Sequence, residues 1–566
     1  MEAGNQHQRR YKHIRIVLSE LKVQQAIAFP LAAMNITWFA KFAITTVFLG
    51  RLGEFELASG ALGFMFANVT GFSILNGLCG AMEPICGQAY GAKNFKLLHK
   101  TLVMMVSLLL ITSIFSCLLW LNVDKILIYF GQQEDISIGA KKYLFYLLPG
   151  LIITSFLCPL KSYLSSQSIT VPIMYTSVLA VVLHVPINIF LSKIRGFSGV
   201  SMAIWITDLV VVVLLASYVA VLEFKKGGTW KEGGWCEQGF KDWVRMLKLC
   251  GPCCLMICLE WWCYEILVML TGKLPNAKQA VSIIAIVFNF VYLLYGVMYS
   301  LATCASIRVS NELGANQAGP AYRATCVSLS LALLAGLAGG LVMVLSRGMW
   351  GRLFSHDKAI VRGAGNAILW MGLLEVVNFP LAVCGGITRG TAKPWLGTYA
   401  NIAGFYLLAL PLGVVLAFKV HLGLHGLLIG FLGGVSGTLM LQLLFISRIN
   451  WAEEASKAQT LVAVECIKDE DILTEVNVQE QQVQTTEDDF WNLAFETFLP
   501  DQNNSADDYY PSEDEFVPYL EDDYLQILYE NRPEDEYVPC DPWQDEYEGY
   551  HNPWEDEHEP DSDFSI

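Results

Sequence analysis

The stretch 102–121, LVMMVSLLLITSIFSCLLWL, is twenty residues long and contains no charged side chain. An α-helix rises about 1.5 Å per residue, so a helix of this length crosses the roughly 30 Å hydrocarbon core of a bilayer. The pattern predicts a transmembrane helix, which we place near residues 98–121.

Eleven further apolar runs of similar length are predicted to be spans. They lie near 25–49, 57–82, 142–164, 171–192, 199–222, 244–271, 279–304, 322–346, 360–385, 396–418 and 423–447. We therefore expect an all-α membrane protein with twelve transmembrane helices. No cleavable signal peptide is expected, because residues 1–24 are basic and polar and no small-residue cleavage site follows a short apolar core.

The charges divide the chain into two unlike parts. Residues 465–566 contain 33 of the 53 acidic residues but only two basic ones, Lys468 and Arg532. The first 464 residues are too apolar and too poor in charge for a secreted disulfide scaffold, a nucleic-acid-binding protein or an ordinary soluble enzyme. The last hundred residues are predicted to be a disordered acidic tail.

The orientation in the membrane follows from the Lys and Arg residues, which are in excess on the side of the N-terminus. Basic loops remain in the cytoplasm, and an even number of spans places both termini on the same side. We predict that both termini are cytoplasmic, in the plasma membrane or in an endomembrane such as the vacuole or Golgi and late endosomal vesicles.

The second half of the sequence loosely repeats the first half. QAYGAKN at 88–94 follows the second span, and NELGANQ at 311–317 follows the eighth. The predicted order is a cytoplasmic segment 1–24, an N-lobe 25–222, a cytoplasmic loop 223–243, a C-lobe 244–447 and a cytoplasmic tail 448–566. Duplicated six-helix bundles favour a transporter with a substrate site between the lobes; the alternative is a duplication kept for stability alone.

Few charges lie inside the predicted spans, where each costs from about 3 to over 10 kcal/mol. Glu83 is next to Pro84 and is expected to cap or anchor a loop. Lys41 requires an acidic partner in the first bundle, which the sequence does not identify. Asp208 is a candidate for function or for a partner within that bundle.

The seventh span carries two acids and three aromatic residues in the eight positions 258–265. Glu260 and Glu265 lie about 140° apart on a helix, so one is expected to face the cleft and the other the bundle. Glu260 shares its face with Tyr264, and Glu265 shares its face with Trp261. Aromatic rings beside a carboxyl group suit a flat or cationic organic solute, through stacking and cation–π attraction. They also make the site dry, which favours reversible protonation of the acid. The alternative is a structural acid bonded to a neighbouring ring.

Three other residues complete the candidate site of the second half. Glu375 and Asn378 lie three residues apart on one face of the tenth span, and Asn289 lies in the eighth. Cys250, Cys253 and Cys254 lack flanking His or Cys residues at metal-site spacing, so neither a metal nor a cofactor is expected. The coupling ion is predicted to be H⁺, with Na⁺ as the alternative.

Five stretches resemble the plant detoxification branch of the multidrug and toxin extrusion (MATE) family. They are FANVTGFS at 66–73, CGQAYGA at 86–92, LEWW at 259–262, RVSNELGA at 308–315 and RGT at 389–391. The resemblance, over residues 20–450, implies two lobes, alternating access and export of organic solutes against an inward H⁺ gradient. It assigns coupling to Glu260. The first span has Asn35 and Lys41 where many prokaryotic members have Asp, and Asn289 and Asn378 stand where acids are common.

We therefore predict a proton-coupled exporter of organic solutes, namely xenobiotics, secondary metabolites or a hormone. The protein is expected not to be an enzyme, not to bind nucleic acid and to be monomeric. One alternative is a flippase for a lipid-linked headgroup, which requires a more basic cleft. Another is a non-transporting receptor or regulator acting through the tail. Tyr524–Ile527 fits a tyrosine-based sorting signal, so a trafficking adaptor or a basic protein is a candidate partner of the tail.

Overall fold

The computed structural model describes residues 2–226, 233, 235 and 239–460, with side chains omitted for 2–13 and 223–226. Twelve helices in this part of the chain are long and apolar enough to cross a membrane, which confirms the predicted all-α fold. We number them α1 Glu2–Leu52, α2 Glu54–Gly91, α3 Phe95–Leu121, α4 Glu134–Ser166, α5 Val171–Arg195, α6 Phe197–Lys226, α7 Phe240–Thr271, α8 Ala277–Gly314, α9 Ala318–Phe354, α10 Lys358–Gly390, α11 Pro394–Lys419 and α12 Gly423–Ser447.

Shorter elements interrupt or connect these helices. A short helix, Val123–Tyr129, joins α3 to α4. The helix α2 contains a π-helical turn at Asn68–Phe72, and α11 contains two at Ile402–Ala409 and Val415–Lys419. Such turns leave backbone carbonyls without their usual partners, which a membrane tolerates where neighbouring helices or a cavity satisfy them.

The sequence repeat is also a repeat of backbone geometry. Lys93 after α2 and Asn316 after α8 both adopt the left-handed conformation, with φ of 59° and 58°. Ser168 after α4 and Ala392 after α10 do the same, with φ of 62° and 55°. This conformation closes a helix C-terminus by turning the next amide back onto it. Corresponding helices in the two halves therefore end in the same way.

We call α1–α6 the N-lobe and α7–α12 the C-lobe. Each lobe has a buried apolar core, with Trp120 and Tyr143 in the first and Phe405 and Phe431 in the second. Large apolar side chains are also exposed on the outside, as on α3, where Phe115 is 68% exposed. A continuous apolar exterior is stable only against lipid, which agrees with a membrane-spanning bundle.

The two lobes approach most closely where α2 crosses α8. A Cβ atom on Gly91 would lie 2.0 Å from the carbonyl oxygen of Asn311, and one on Gly314 would lie 2.2 Å from that of Gln88. Any side chain at either glycine would separate the helices. The repeated motifs at 88–94 and 311–317 thus pack against each other.

Two predicted boundaries move in the structure. The helix α1 begins at Glu2, so residues 2–24 are continuous with the helix of the first span. Residues 451–460 of the predicted tail are helical and pack on the C-lobe, where Ala455 is buried and Gln459 Nε2 donates a 2.6 Å hydrogen bond to the Gly314 carbonyl. The tail predictions for 461–566, disorder and the sorting signal, lie outside the described residues.

Candidate functional site

A cavity of about 270 Å³ lies between the lobes. Helices α1, α2, α4, α5 and α6 form its N-lobe wall, and α7 and α8 form its C-lobe wall. Aromatic side chains from both lobes line it, including Trp38, Phe42, Trp261, Tyr295 and Tyr299. Clefts lined by aromatic rings with a few polar groups are the usual sites for small organic molecules.

One end of the bundle is closed below this cavity. We call it the N-terminal end, because α1 begins there. Inter-lobe hydrogen bonds and ion pairs of the described residues are found between the middle of the bundle and this end. Three ion pairs join the lobes: Arg389 with Glu83 at 2.8 Å, Arg308 with Glu20 at 2.9 Å and Lys100 with Asp242 at 2.6 Å.

The pair between Glu83 and Arg389 is the most enclosed of the three. Their side chains are only 7% and 5% exposed. Glu83 lies at the floor of the cavity on α2, where it accepts a hydrogen bond from Arg389 Nε on α10. Instead of capping a loop, this acid connects the two lobes. Loss of one partner would leave the other charge buried and unpaired, at a cost of several kcal/mol.

The N-lobe wall contains the partner that Lys41 was predicted to need. The Lys41 ammonium donates a hydrogen bond to the carboxylate of Asp208 on α6. Behind this pair, His184 is fully buried, with one ring nitrogen 3.0 Å from the Thr45 hydroxyl and the other 3.3 Å from the Thr207 hydroxyl. The structure thus joins Lys41 and Asp208, two candidates that are 167 residues apart in the chain.

In the C-lobe, Glu260 lines a second chamber of about 30 Å³, which Arg389, Asn401 and Gln442 also line. Tyr295 and Tyr299 line both this chamber and the main cavity. Glu260 therefore faces a small polar space separated from the substrate-sized cavity by two tyrosine rings. A space of this size is large enough to hold a water molecule.

Glu375 lies deeper in the C-lobe and is 1% exposed. One of its carboxyl oxygens, Oε1, has no hydrogen-bond partner among the described residues. One turn along α10, Asn378 Nδ2 donates a 3.2 Å hydrogen bond to the hydroxyl of Tyr264. Three of the predicted site residues are therefore gathered on adjoining helices, and Tyr264 is packed against Phe288 and Phe431.

Of the three remaining predicted residues, only one lines the main cavity. Trp261 lines the main cavity and packs edge-on against Tyr295, with ring centroids 4.7 Å apart. Glu265 is half-buried and lines neither of the two cavities. Asn289 is exposed, and its side chain donates to the Ala285 carbonyl of its own helix, so the structure does not bring it to the acids.

The cysteines of α7 do not assemble a metal site in the described part of the chain, where no group of three or more potential ligands occurs. Cys250 and Cys253 are buried, and the Cys254 and Cys258 sulfur atoms lie 3.8 Å apart. These thiols lie where α7 packs against α2, since Cys254 and Cys258 contact the backbone of Ile74 and Ser73.

Four further charged or titratable residues of the site were not predicted from the sequence: Arg308, Arg389, Lys161 and His184. Both arginines lie in motifs that carry the family resemblance, RVSNELGA and RGT. Lys161 and His184 were overlooked within the fourth and fifth spans. A basic residue inside a predicted span is the signal that could have found them.

Comparison with known proteins identifies the family. The family model MatE matches residues 30–190 and 252–415, which are parts of both lobes. Protein DETOXIFICATION 56 of Arabidopsis thaliana is 61% identical over 446 residues, covering 79% of this chain and 91% of that protein. Protein DETOXIFICATION 49 of the same plant is 39% identical, covering 81% and 91%. The chain belongs to the MATE family.

Solved MATE structures share the fold. The eukaryotic MATE transporter AtDTX14 is 30% identical and superposes with a TM-score of 0.74, covering 79% of this chain and 99% of that one. The Vibrio cholerae MATE transporter VcmN, crystallised as its D35N mutant, is 17% identical with a TM-score of 0.69, covering 77% and 99%. This MATE protein is therefore a multi-pass membrane transporter and not an enzyme.

Proposed function

We propose that this MATE transporter exports an organic solute by antiport with H⁺ and that Glu260 carries the coupling proton. The observation that supports the proposal most directly is the chamber that Glu260 shares with Arg389, because Arg389 also holds Glu83 of the other lobe. A proton on Glu260 is thereby placed next to the ion pair that closes the N-terminal end.

The coupling follows from competition for one guanidinium group. When Glu260 is ionised, two carboxylates, Glu260 and Glu83, attract Arg389 in a poorly hydrated space. When Glu260 is protonated, Arg389 interacts with Glu83 alone. Proton occupancy therefore changes the free energy of the inter-lobe ion pair, and a two-state protein responds to such a difference by shifting between its conformations.

A second protonation site is proposed at Glu375. Its carboxyl group is buried, has an oxygen without a partner, and has no cation within ion-pair distance in the described part of the chain. An ionised carboxylate in such surroundings would be costly, which favours the neutral acid. Asn378 and Tyr264 lie close enough to respond to its ionisation.

The positive-inside bias supports placing the N-terminal end in the cytoplasm. In that orientation the closed end faces the cytoplasm, and the conformation described here is the outward-facing one. Solute would leave the cavity on the far side while H⁺ enters from there. The protein is proposed to act as a monomer in the plasma membrane or an endomembrane, with Na⁺ as the alternative coupling ion.

The test is solute transport by the purified full-length protein in proteoliposomes with an imposed pH gradient. A fluorescent organic cation, a flavonoid, citrate and abscisic acid form the first panel. Glu260→Gln keeps the shape of the side chain but cannot ionise, so gradient-driven transport should fall at least tenfold while exchange without a gradient persists.

Glu134→Gln is the matched control, since Glu134 is exposed in the first turn of α4 and lines neither cavity. It should transport as the unmodified protein does. Gradient-driven transport that survives Glu260→Gln would move coupling to Glu375, Glu265 or Asp208. If a Na⁺ gradient drives transport and a pH gradient does not, the coupling ion is Na⁺ and not H⁺.

A further inference from the structure

One face of α4 is aligned with the main cavity. Leu157, Cys158, Lys161, Ser162 and Ser165 all line it, and their spacing of three and four residues places them on one side of the helix. Lys161 is the only ionisable side chain among these five apart from the Cys158 thiol. Its ammonium group thus points to the same space as the aromatic rings of the opposite wall.

The other charged side chains that line this cavity have partners. Lys41 contacts Asp208, and Glu83 is paired with Arg389. Lys161 has no ion pair and no hydrogen bond with any other described residue. One positive charge is therefore left over on the N-lobe wall of the main cavity, which Glu260 does not line.

An unpartnered ammonium group that lines a cavity within a membrane-spanning bundle is expensive, and such groups usually mark the path of a substrate or ion. Asp208 cannot neutralise both lysines, because it carries a single negative charge and is already held by Lys41. A bound anion would supply the missing charge. It would find additional hydrogen-bonding groups nearby at Ser162 and Thr154.

The remainder of the cavity specifies the rest of the solute. Trp38, Phe42, Phe72, Trp261 and Tyr295 surround the space with rings, which favour a flat aromatic body through stacking and edge contacts. We infer that the cavity binds an aromatic carboxylate, whose ring lies among these side chains and whose carboxylate pairs with the Lys161 ammonium. The Lys161 site thus defines the substrate class for the transport function proposed above, on which this inference rests.

The test is equilibrium binding by isothermal titration to the full-length protein in nanodiscs, with no gradient present. The probes share one ring system: 1-naphthoate, 1-naphthylmethylammonium and 1-naphthalenemethanol. The protein should prefer naphthoate. Because a charge-assisted hydrogen bond would be lost, Lys161→Gln should weaken naphthoate binding about ten- to a hundredfold and leave the neutral alcohol unchanged.

Three further variants separate the charge from general damage. Lys161→Arg should retain naphthoate binding. Lys161→Glu should reverse the preference toward the ammonium probe, a gain that a misfolded protein cannot mimic. Lys278→Gln removes an exposed lysine at the start of α8, which lines neither cavity, and should bind all three probes as the unmodified protein does.

The outcomes separate this inference from the antiport proposal. Equal or stronger binding of the ammonium probe to the unmodified protein, or naphthoate binding that is unaffected by Lys161→Gln, would overturn the carboxylate site. Lys161-dependent naphthoate binding without gradient-driven transport would support the site and contradict H⁺ antiport. Transport of another solute driven by a pH gradient, with no naphthoate binding, would support H⁺ antiport and contradict the carboxylate site.

Discussion

Replacement of Gly91 by alanine should shift the protein away from the conformation described here. The added Cβ atom would lie 2.0 Å from the Asn311 carbonyl oxygen and 2.9 Å from the Ala315 amide nitrogen. Both are backbone atoms of the α8 terminus, so neither can rotate aside. The crossing of α2 and α8 must open instead.

The size of the effect follows from these distances. Ordinary van der Waals contact for a Cβ atom begins near 3.4 Å, so the two backbones must separate by roughly 1.4 Å or deform. Inserting a methyl group into a well-packed contact costs about 1–3 kcal/mol. A conformation in which the lobes part at the N-terminal end does not have this cost, so the ratio of the two populations should change about five- to 150-fold.

The assay is a distance measurement between spin labels on non-canonical amino acids at Gln132 and Lys358. Both residues are exposed at the end opposite the closed one, and they belong to different lobes. Gly91→Ala should transfer population from a long distance to a shorter one as that end closes. Gly348→Ala is the control, because a Cβ atom there meets nothing within 4 Å and alanine is the better helix former.

An unchanged distance distribution in a folded Gly91→Ala protein would refute the reasoning. So would an equal shift in Gly348→Ala, since the effect would then come from helix propensity and not from the lobe crossing. A lower Tm for Gly91→Ala with the same distribution would mean that the contact stabilises both conformations.

Three other outcomes are expected. Asp208→Asn should lower the free energy of unfolding by about 3 kcal/mol, because it leaves the Lys41 ammonium buried without an anion. The double variant Lys41→Met with Asp208→Leu removes both charges and should recover most of the lost Tm, whereas an equal loss of Tm in the single and the double variant would argue against the ion pair. Asp124 lies outside the membrane-spanning helices, and the Lys141 ammonium, 2.9 Å away, lowers the pKa of its carboxyl group. The stabilisation by this ion pair is present above the unfolded-state pKa and lost as pH falls through the folded-state pKa. Asp124→Asn should therefore lower the free energy of unfolding by less than about 1 kcal/mol near neutral pH, seen as a slightly lower Tm, and should have no effect in strong acid. Deletion of 461–566 should leave transport in proteoliposomes unchanged, because the MatE match ends at 415; lost transport would give the tail a direct part in the cycle.

The candidate site shows which residue positions the pattern of a single span can predict and which it cannot. The pattern of α7 placed Glu260 and Glu265 on different faces, and the structure places Glu260 in a chamber that Glu265 does not line. Asn289 was predicted to lie with Glu260 and Glu375. It lies on the exposed side of α8 instead, because the rotation of a helix about its own axis depends on its neighbours and is not specified by the polarity of one residue.

The sequence by itself determined the twelve spans, the duplicated halves and the family, because long apolar runs and repeated motifs are local properties of the chain. The tertiary structure alone decided which charges meet. Lys41 and Asp208 are 167 residues apart, and Glu83 and Arg389 are 306 apart. Any basic residue in a span requires an anion, but the choice of anion depends on which helices pack together and at what depth. That choice also left Lys161 without a partner on the cavity wall, where a solute can supply the missing charge.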